Sequence, residues 1–162
     1  MAKPSPIPAG RHSVTPNLIL SDCGRAIDFY RRALGAEEVA RFPSPDGKSV
    51  WHAELRIGDS VVYAADEMPG RSAKPPAPDR ISSVGFWIWT ADCDAAHRRA
   101  VDAGGRSKMA PTDMFWGDRT ATVEDPYGYS WTFATHVKDM TREEMEKAGR
   151  EFAKQMGMTG KG

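Results

Sequence analysis

The chain has 162 residues, about one domain's worth, with 22 basic against 22 acidic side chains and no net charge at neutral pH. That balance gives no bulk pull toward nucleic acid or an acidic membrane, and no apolar run approaches the ~20 residues of a membrane helix. The Pro-rich start lacks the apolar segment of a secretory signal, and Cys23 and Cys93 make no disulfide framework, so a cytoplasmic protein is expected.

Residues 1–12 read as a flexible arm, because their prolines oppose regular structure. Val14–Leu20 is β-rich, with Pro16 marking its early part as an edge. Asp22 is a good helix N-cap, Ala26, Ile27, Phe29, Tyr30, Ala33 and Leu34 form an apolar stripe at helical spacing, and Gly35 stops the helix. Strands are predicted over Glu37–Phe42, Val50–Ile57 and Ser60–Ala65, the last two joined by Gly58-Asp59. Residues 13–67 are thus strand, helix, three strands. Met68–Arg80, with four prolines, reads as a linker over residues 68–80.

The same order then returns over residues 81–138. Ser82–Trp89 is a strand, Asp92 caps a helix through Ala103, and Arg106–Ala110 is a weak strand. Thr120–Glu124 and Ser130–Thr135 form a hairpin around Asp125-Pro126-Tyr127-Gly128, a turn in which Pro presets one φ and Gly accepts a positive one. An offset of 70 relates Asp22 to Asp92, Cys23 to Cys93, Gly35 to Gly105, Glu54 to Glu124 and Gly58 to Gly128. One gapless offset at caps and turns identifies a duplicated βαβββ unit. Residues 139–162 hold a third helix over Thr141–Met156, with Thr141 and Glu144 placed for a capping box, and a tail. Its single stripe of Met145, Ala148, Phe152 and Met156 suits either a stabilising appendage or a dimer or lid element.

The duplicated unit, the Asp-Pro-Tyr-Gly turn, and the stretches Ala26–Tyr30, His52–Ser60, Trp116–Arg119 and Trp131–His136 resemble the vicinal oxygen chelate superfamily of glyoxalase I, bleomycin-resistance proteins and extradiol dioxygenases, in its PhnB-like branch. The resemblance implies an α+β fold: two tandem βαβββ modules forming a curved eight-stranded mixed sheet around a cleft, plus the C-terminal helix. It also implies a homodimer whose clefts are shared or completed between chains. Metal-binding members take His, Gln or Glu ligands at places that fall here on Thr15, Val62, Gly85 and Thr132. Glycine and valine cannot ligate and threonine ligates poorly, so no metal and no other cofactor is expected.

The resemblance places Val50, His52 and Glu54 on the cavity side of one unit and Thr120, Thr122 and Glu124 on that of the other. A His two residues from a carboxylate on one strand face can act as a general base, or the two can simply satisfy each other. Arg119 can clamp an anionic group or close a structural network with Asp118. Asn17, Trp87, Trp89, Trp116, Asp118 and Thr132 complete the expected ligand-binding set, against core packing for either of Trp87 and Trp89 taken alone. Two functions follow. One is a metal-independent enzyme of lyase or isomerase type acting on a small organic molecule, with His52 as base, Glu54 orienting it and Arg119 holding an anionic group. The other is a protein that sequesters a drug or metabolite without chemistry. No phosphate loop, serine-nucleophile elbow or basic stripe is present, so no nucleic-acid partner is expected.

Overall fold

In the computed structural model, residues 5–71, 73–77 and 79–157 are described. The parts of the arm, linker and tail readings that fall on 1–4, 72, 78 and 158–162 lie outside them. The elements are β1 (Asn17–Leu20), α1 (Cys23–Leu34), β2 (Glu37–Pro43), β3 (Val50–Ile57), β4 (Ser60–Asp66), β5 (Gly85–Trp89), α2 (Cys93–Asp102), β6 (Arg106–Asp113), β7 (Asp118–Glu124), β8 (Ser130–His136) and α3 (Arg142–Gln155). The eight strands divide into two four-stranded mixed sheets, ordered β1-β4-β3-β2 and β5-β8-β7-β6. In each, the first strand runs parallel to the last and the other pairs are antiparallel.

Local chemistry sets the helix ends. Asp22 accepts from the Arg25 amide and Asp92 from the Ala95 amide, each satisfying a donor that the first turn leaves free. Gly35 ends α1 at φ 68°, in the left-handed region that a side chain disfavours. Thr141 and Glu144 form the reciprocal capping box of α3. Helices α1 and α2 pack on each other, and the Arg99 guanidinium of α2 donates to the Ala33 carbonyl near the end of α1.

One hydrophobic core runs through both units. It takes Leu18, Leu20, Ala53 and Leu55 from the first sheet and Ala121, Val123, Trp131 and Phe133 from the second. Asp125 joins the halves. Its buried carboxylate accepts from Tyr30 Oη of α1, from Trp131 Nε1, and from the Tyr127 and Tyr129 amides. Burial nevertheless outweighs these donors and holds its pKa above the ordinary carboxylate value. Tyr129 adds a second link, its hydroxyl donating to the Ile19 carbonyl and accepting from the Ile19 amide of β1.

Two registers depart from the uniform offset. The ladder of β3 and β4 closes at Ile57–Ser60 over two residues, whereas that of β7 and β8 closes at Glu124–Ser130 over five. The odd difference turns β8 over relative to β4. Tyr63 therefore lies opposite Glu54, away from the helices, while Phe133 lies opposite Ala121 in the core. Val62, expected at a ligand position, is likewise a core residue at 5% exposure. The second departure is a bulge between β2 and β3 at Trp51, which swings Val50 into the core instead of onto the cavity side.

Candidate functional site

The face of each sheet turned away from the helices carries the polar and aromatic side chains. On the first sheet His52 and Glu54 stand side by side, His52 Nε2 lying 3.5 Å from Glu54 Oε1. The imidazole meets the Tyr63 ring edge-on at 4.7 Å between centroids and sits 6.0 Å from the Phe42 ring. Asn17 shares this face, and with Ile19, Trp51 and His52 it lines a hollow of about 240 Å³. Glu54 has a partner that the sequence did not reveal: Arg11 of the N-terminal arm, whose guanidinium also lies 5.9 Å from the Tyr63 ring centroid.

On the second sheet Trp87 and Trp89 project from β5 on the open side, because Phe86 and Ile88 pack toward the core. Their rings lie 6.0 Å apart and are 48% and 62% exposed. Thr132 is the ladder partner of Trp87, and its hydroxyl lies 3.0 Å from that of Thr122. Thr120, one step along the same face, is fully buried with no hydrogen-bond partner for its hydroxyl. Trp87 and Trp89 also wall a cleft of about 630 Å³, whose other side is His12, Val14, Thr15, Pro16 and the β3–β4 hairpin end. This volume suits a small organic ligand.

The remaining expected residues are engaged by partners of their own. Arg119 shares the odd-numbered, helix-side face of β7 with Ala121 and Val123, and its guanidinium holds Asp94 of α2 at 2.6 and 2.9 Å and Asp113 at 2.8 Å. These carboxylates raise its pKa and leave the guanidinium turned away from the open faces. Asp118 receives His136 Nδ1 at 2.8 Å, while the other ring nitrogen lies 2.9 Å from Asp139. Trp116 packs edge-on against Phe115, which meets Phe152 of α3 at 5.3 Å, so this loop is the seat of the C-terminal helix. Cys23 and Cys93 are buried, and burial pushes the Cys23 thiol up to about 12, which makes it a poor nucleophile.

The expected ligand positions offer little to a divalent ion. Val62 is in the core, Gly85 has no donor, and the Thr132 hydroxyl is engaged with Thr122. Among the described residues no three His, Cys, Asp or Glu side chains gather at metal-binding distances. The residues present do not fit the ion.

With this geometry in place, comparison with known proteins gives a consistent result. Residues 12–133 match the model of the Glyoxalase/Bleomycin resistance protein/Dioxygenase superfamily. An uncharacterised protein of Mycobacterium bovis is 35% identical over 139 residues, covering 84% of this chain and 91% of that protein. The anthracycline biosynthesis protein DauV of a Streptomyces species is 34% identical over 111 residues, 68% of this chain but 36% of that protein. Among solved structures, an Arabidopsis thaliana gene product superposes with a TM-score of 0.61 at 31% identity, over 76% of this chain and 98% of that one. A PhnB protein from Bacillus cereus shares the fold at 14% identity, with a TM-score of 0.59 over 76% of this chain and 99% of that one.

Proposed function

The chain belongs to the glyoxalase/bleomycin resistance protein/dioxygenase superfamily, and from that premise we propose that it binds a small, flat organic molecule against Trp87 and Trp89 without a divalent metal. The observation that carries this reading is the exposure of two adjacent tryptophans, 48% and 62%, on the wall of a cleft. Large aromatic surface left in water at a concave site favours a ligand, because stacking removes that surface from solvent. The paired hydroxyls of Thr122 and Thr132 lie on the same face of the sheet as the two tryptophans. The name of the Streptomyces relative, an anthracycline biosynthesis protein, fits a fused-ring ligand. Titration with daunorubicin, read by quenching of tryptophan fluorescence, tests the reading. Saturable binding that Trp87→Ala abolishes supports it, and undiminished binding by a Trp87→Ala/Trp89→Ala variant refutes it.

A second reading adds chemistry. His52 beside Glu54 has the placement of a general base in a metal-independent lyase or isomerase, with Glu54 favouring the charged ring once His52 has taken a proton. A His52→Ala variant that binds ligand normally and loses turnover supports it. Arg119, held by Asp94 and Asp113 on the helix side of the second sheet, takes no part in this reading. The proposal includes assembly of two copies in the cytoplasm. The open faces, with Phe42, Trp51, Trp87 and Trp89 exposed, are the surfaces that a second copy covers, completing each cleft. Sedimentation equilibrium showing only monomer at micromolar concentration refutes the assembly. No helix among the described residues is long and apolar enough to cross a membrane.

A further inference from the structure

We infer that the open face of the first sheet is a receptor for an organic cation, a guanidinium or primary ammonium, built from Glu54, Tyr63 and His52 and filled by the chain's own Arg11. The inference concerns a different sheet from the Trp87–Trp89 wall and does not depend on a ligand there.

The contrast between the two units carries it. Glu124 matches Glu54 in the repeat, and the second sheet neutralises it from within: Arg106, its direct ladder partner on β6, pairs with it, and Lys108 Nζ lies 3.5 Å away. In the first sheet the ladder partner of Glu54 is Ala40, which offers no charge. The cation that reaches Glu54 comes instead from outside the sheet, on a segment 43 positions away in sequence. Residues 5–16 form no helix or strand, and residues 5–10 are all exposed. Near Arg11 the pair with Glu54 is what ties the arm to the sheet: the Arg11 amide donates to the Pro8 carbonyl within the arm, and the backbone anchor, the Tyr63 amide donating to the Pro16 carbonyl, comes five residues later. The pair is shielded, its side chains only 23% and 16% exposed, so Glu54 without a cation would be costly.

The surroundings have the chemistry of cation recognition. A carboxylate supplies charge, the Tyr63 ring presents its π surface within the distance for a cation–π contact, and His52 closes the side 3.5 Å from Glu54. Arg11 therefore acts as a tethered stand-in for a ligand cation, and a free ligand must displace it. That displacement also releases the arm next to His12, Val14, Thr15 and Pro16, the other wall of the cleft beside Trp87 and Trp89.

The test uses benzylguanidinium, with benzylurea as its uncharged counterpart, titrated into the protein and followed by NMR shifts of the Tyr63 ring. If Arg11 holds the site about nine-tenths of the time, Arg11→Ala tightens benzylguanidinium binding about tenfold. Adding Glu54→Gln to that variant removes the gain, and benzylurea shows no gain in either. Arg11→Gln, which keeps the side-chain length without the charge, serves if Arg11→Ala folds poorly by circular dichroism. Equal affinity of wild type and the folded Arg11 variant, no binding by that variant, or an equal gain for benzylurea overturns the inference. Daunorubicin quenching of Trp87 and Trp89 is read separately, so failure here leaves the cleft proposal to its own test.

Discussion

Replacing Asp125 with Ala strips four donors of their acceptor at one stroke. Tyr30 Oη and Trp131 Nε1 donate at 2.8 Å each, and both residues are at most 2% exposed, so water cannot replace the lost partner without opening the core. The Tyr127 and Tyr129 amides, at 2.8 and 2.9 Å, lose the same group. At about 1–3 kcal/mol for each buried donor left unpaired, with the two side chains dominating, the gross loss is about 5 kcal/mol. Part is returned, because burial disfavours the ionised carboxylate and the variant no longer has to keep it there. A net loss of about 3–5 kcal/mol is expected, a large share of the ~5–15 kcal/mol that holds a domain together. Asp125→Asn keeps an oxygen for the two amides but turns its NH2 toward donors, and about half that loss is expected. Urea unfolding followed by circular dichroism measures both. Because the carboxylate ties α1 to the β7–β8 turn, the transition of the Ala variant should also broaden as the units uncouple. An Asp125→Ala midpoint within about 1 kcal/mol of wild type would refute the assignment of Asp125 as the tie between the halves.

Three other outcomes are expected. Hydrogen bonds to Asp118, then Asp139, raise the pKa of His136 above its usual value. Its contribution is thus complete below the unfolded value of about 6.5 and is lost as pH rises through the folded value. The stability gap between wild type and His136→Gln, from urea midpoints, should be wide near about pH 6 and narrow toward about pH 9. Gly117 sits at φ 97°, and an added Cβ would lie 2.1 Å from the Lys138 carbonyl oxygen. Gly117→Ala should therefore cost about 1–3 kcal/mol in backbone strain alone and speed amide exchange over residues 137–156. Thr120→Val removes a buried hydroxyl that has no partner, and should raise stability by about 1 kcal/mol. A lower thermal midpoint for Thr120→Val would contradict the assignment.

Groups whose work is local were the legible ones. Asp22, Asp92 and Thr141 cap the helices that the sequence assigns them, Gly35 ends α1, and the Gly58-Asp59 turn closes its hairpin. The repeat carried the order of strands and helices, because each unit needs the same turns and the same buried stripe. The misses depend on distant partners or on register. Arg11 belongs to a segment whose composition signals only an arm, and nothing in that composition points to Glu54. A count along β7 from Ala121 and Val123 would have put Arg119 on the helix side, had the buried pair been recognised first. Asp125 was visible as turn chemistry, yet its main partners, Tyr30 and Trp131, are fixed only when the units meet.

The unequal hairpins have a practical consequence for anyone moving chemistry from one half of this protein to the other. Matching residues by counting along the chain would graft Tyr63 onto Phe133 and bury a phenol in oil. Matching them across the ladder pairs Tyr63, opposite Asn17, with Thr132, opposite Trp87, the repeat counterpart of Asn17. An insertion or deletion of odd length at a hairpin tip thus rewrites the inside and outside of a whole strand at once, without altering a single side chain.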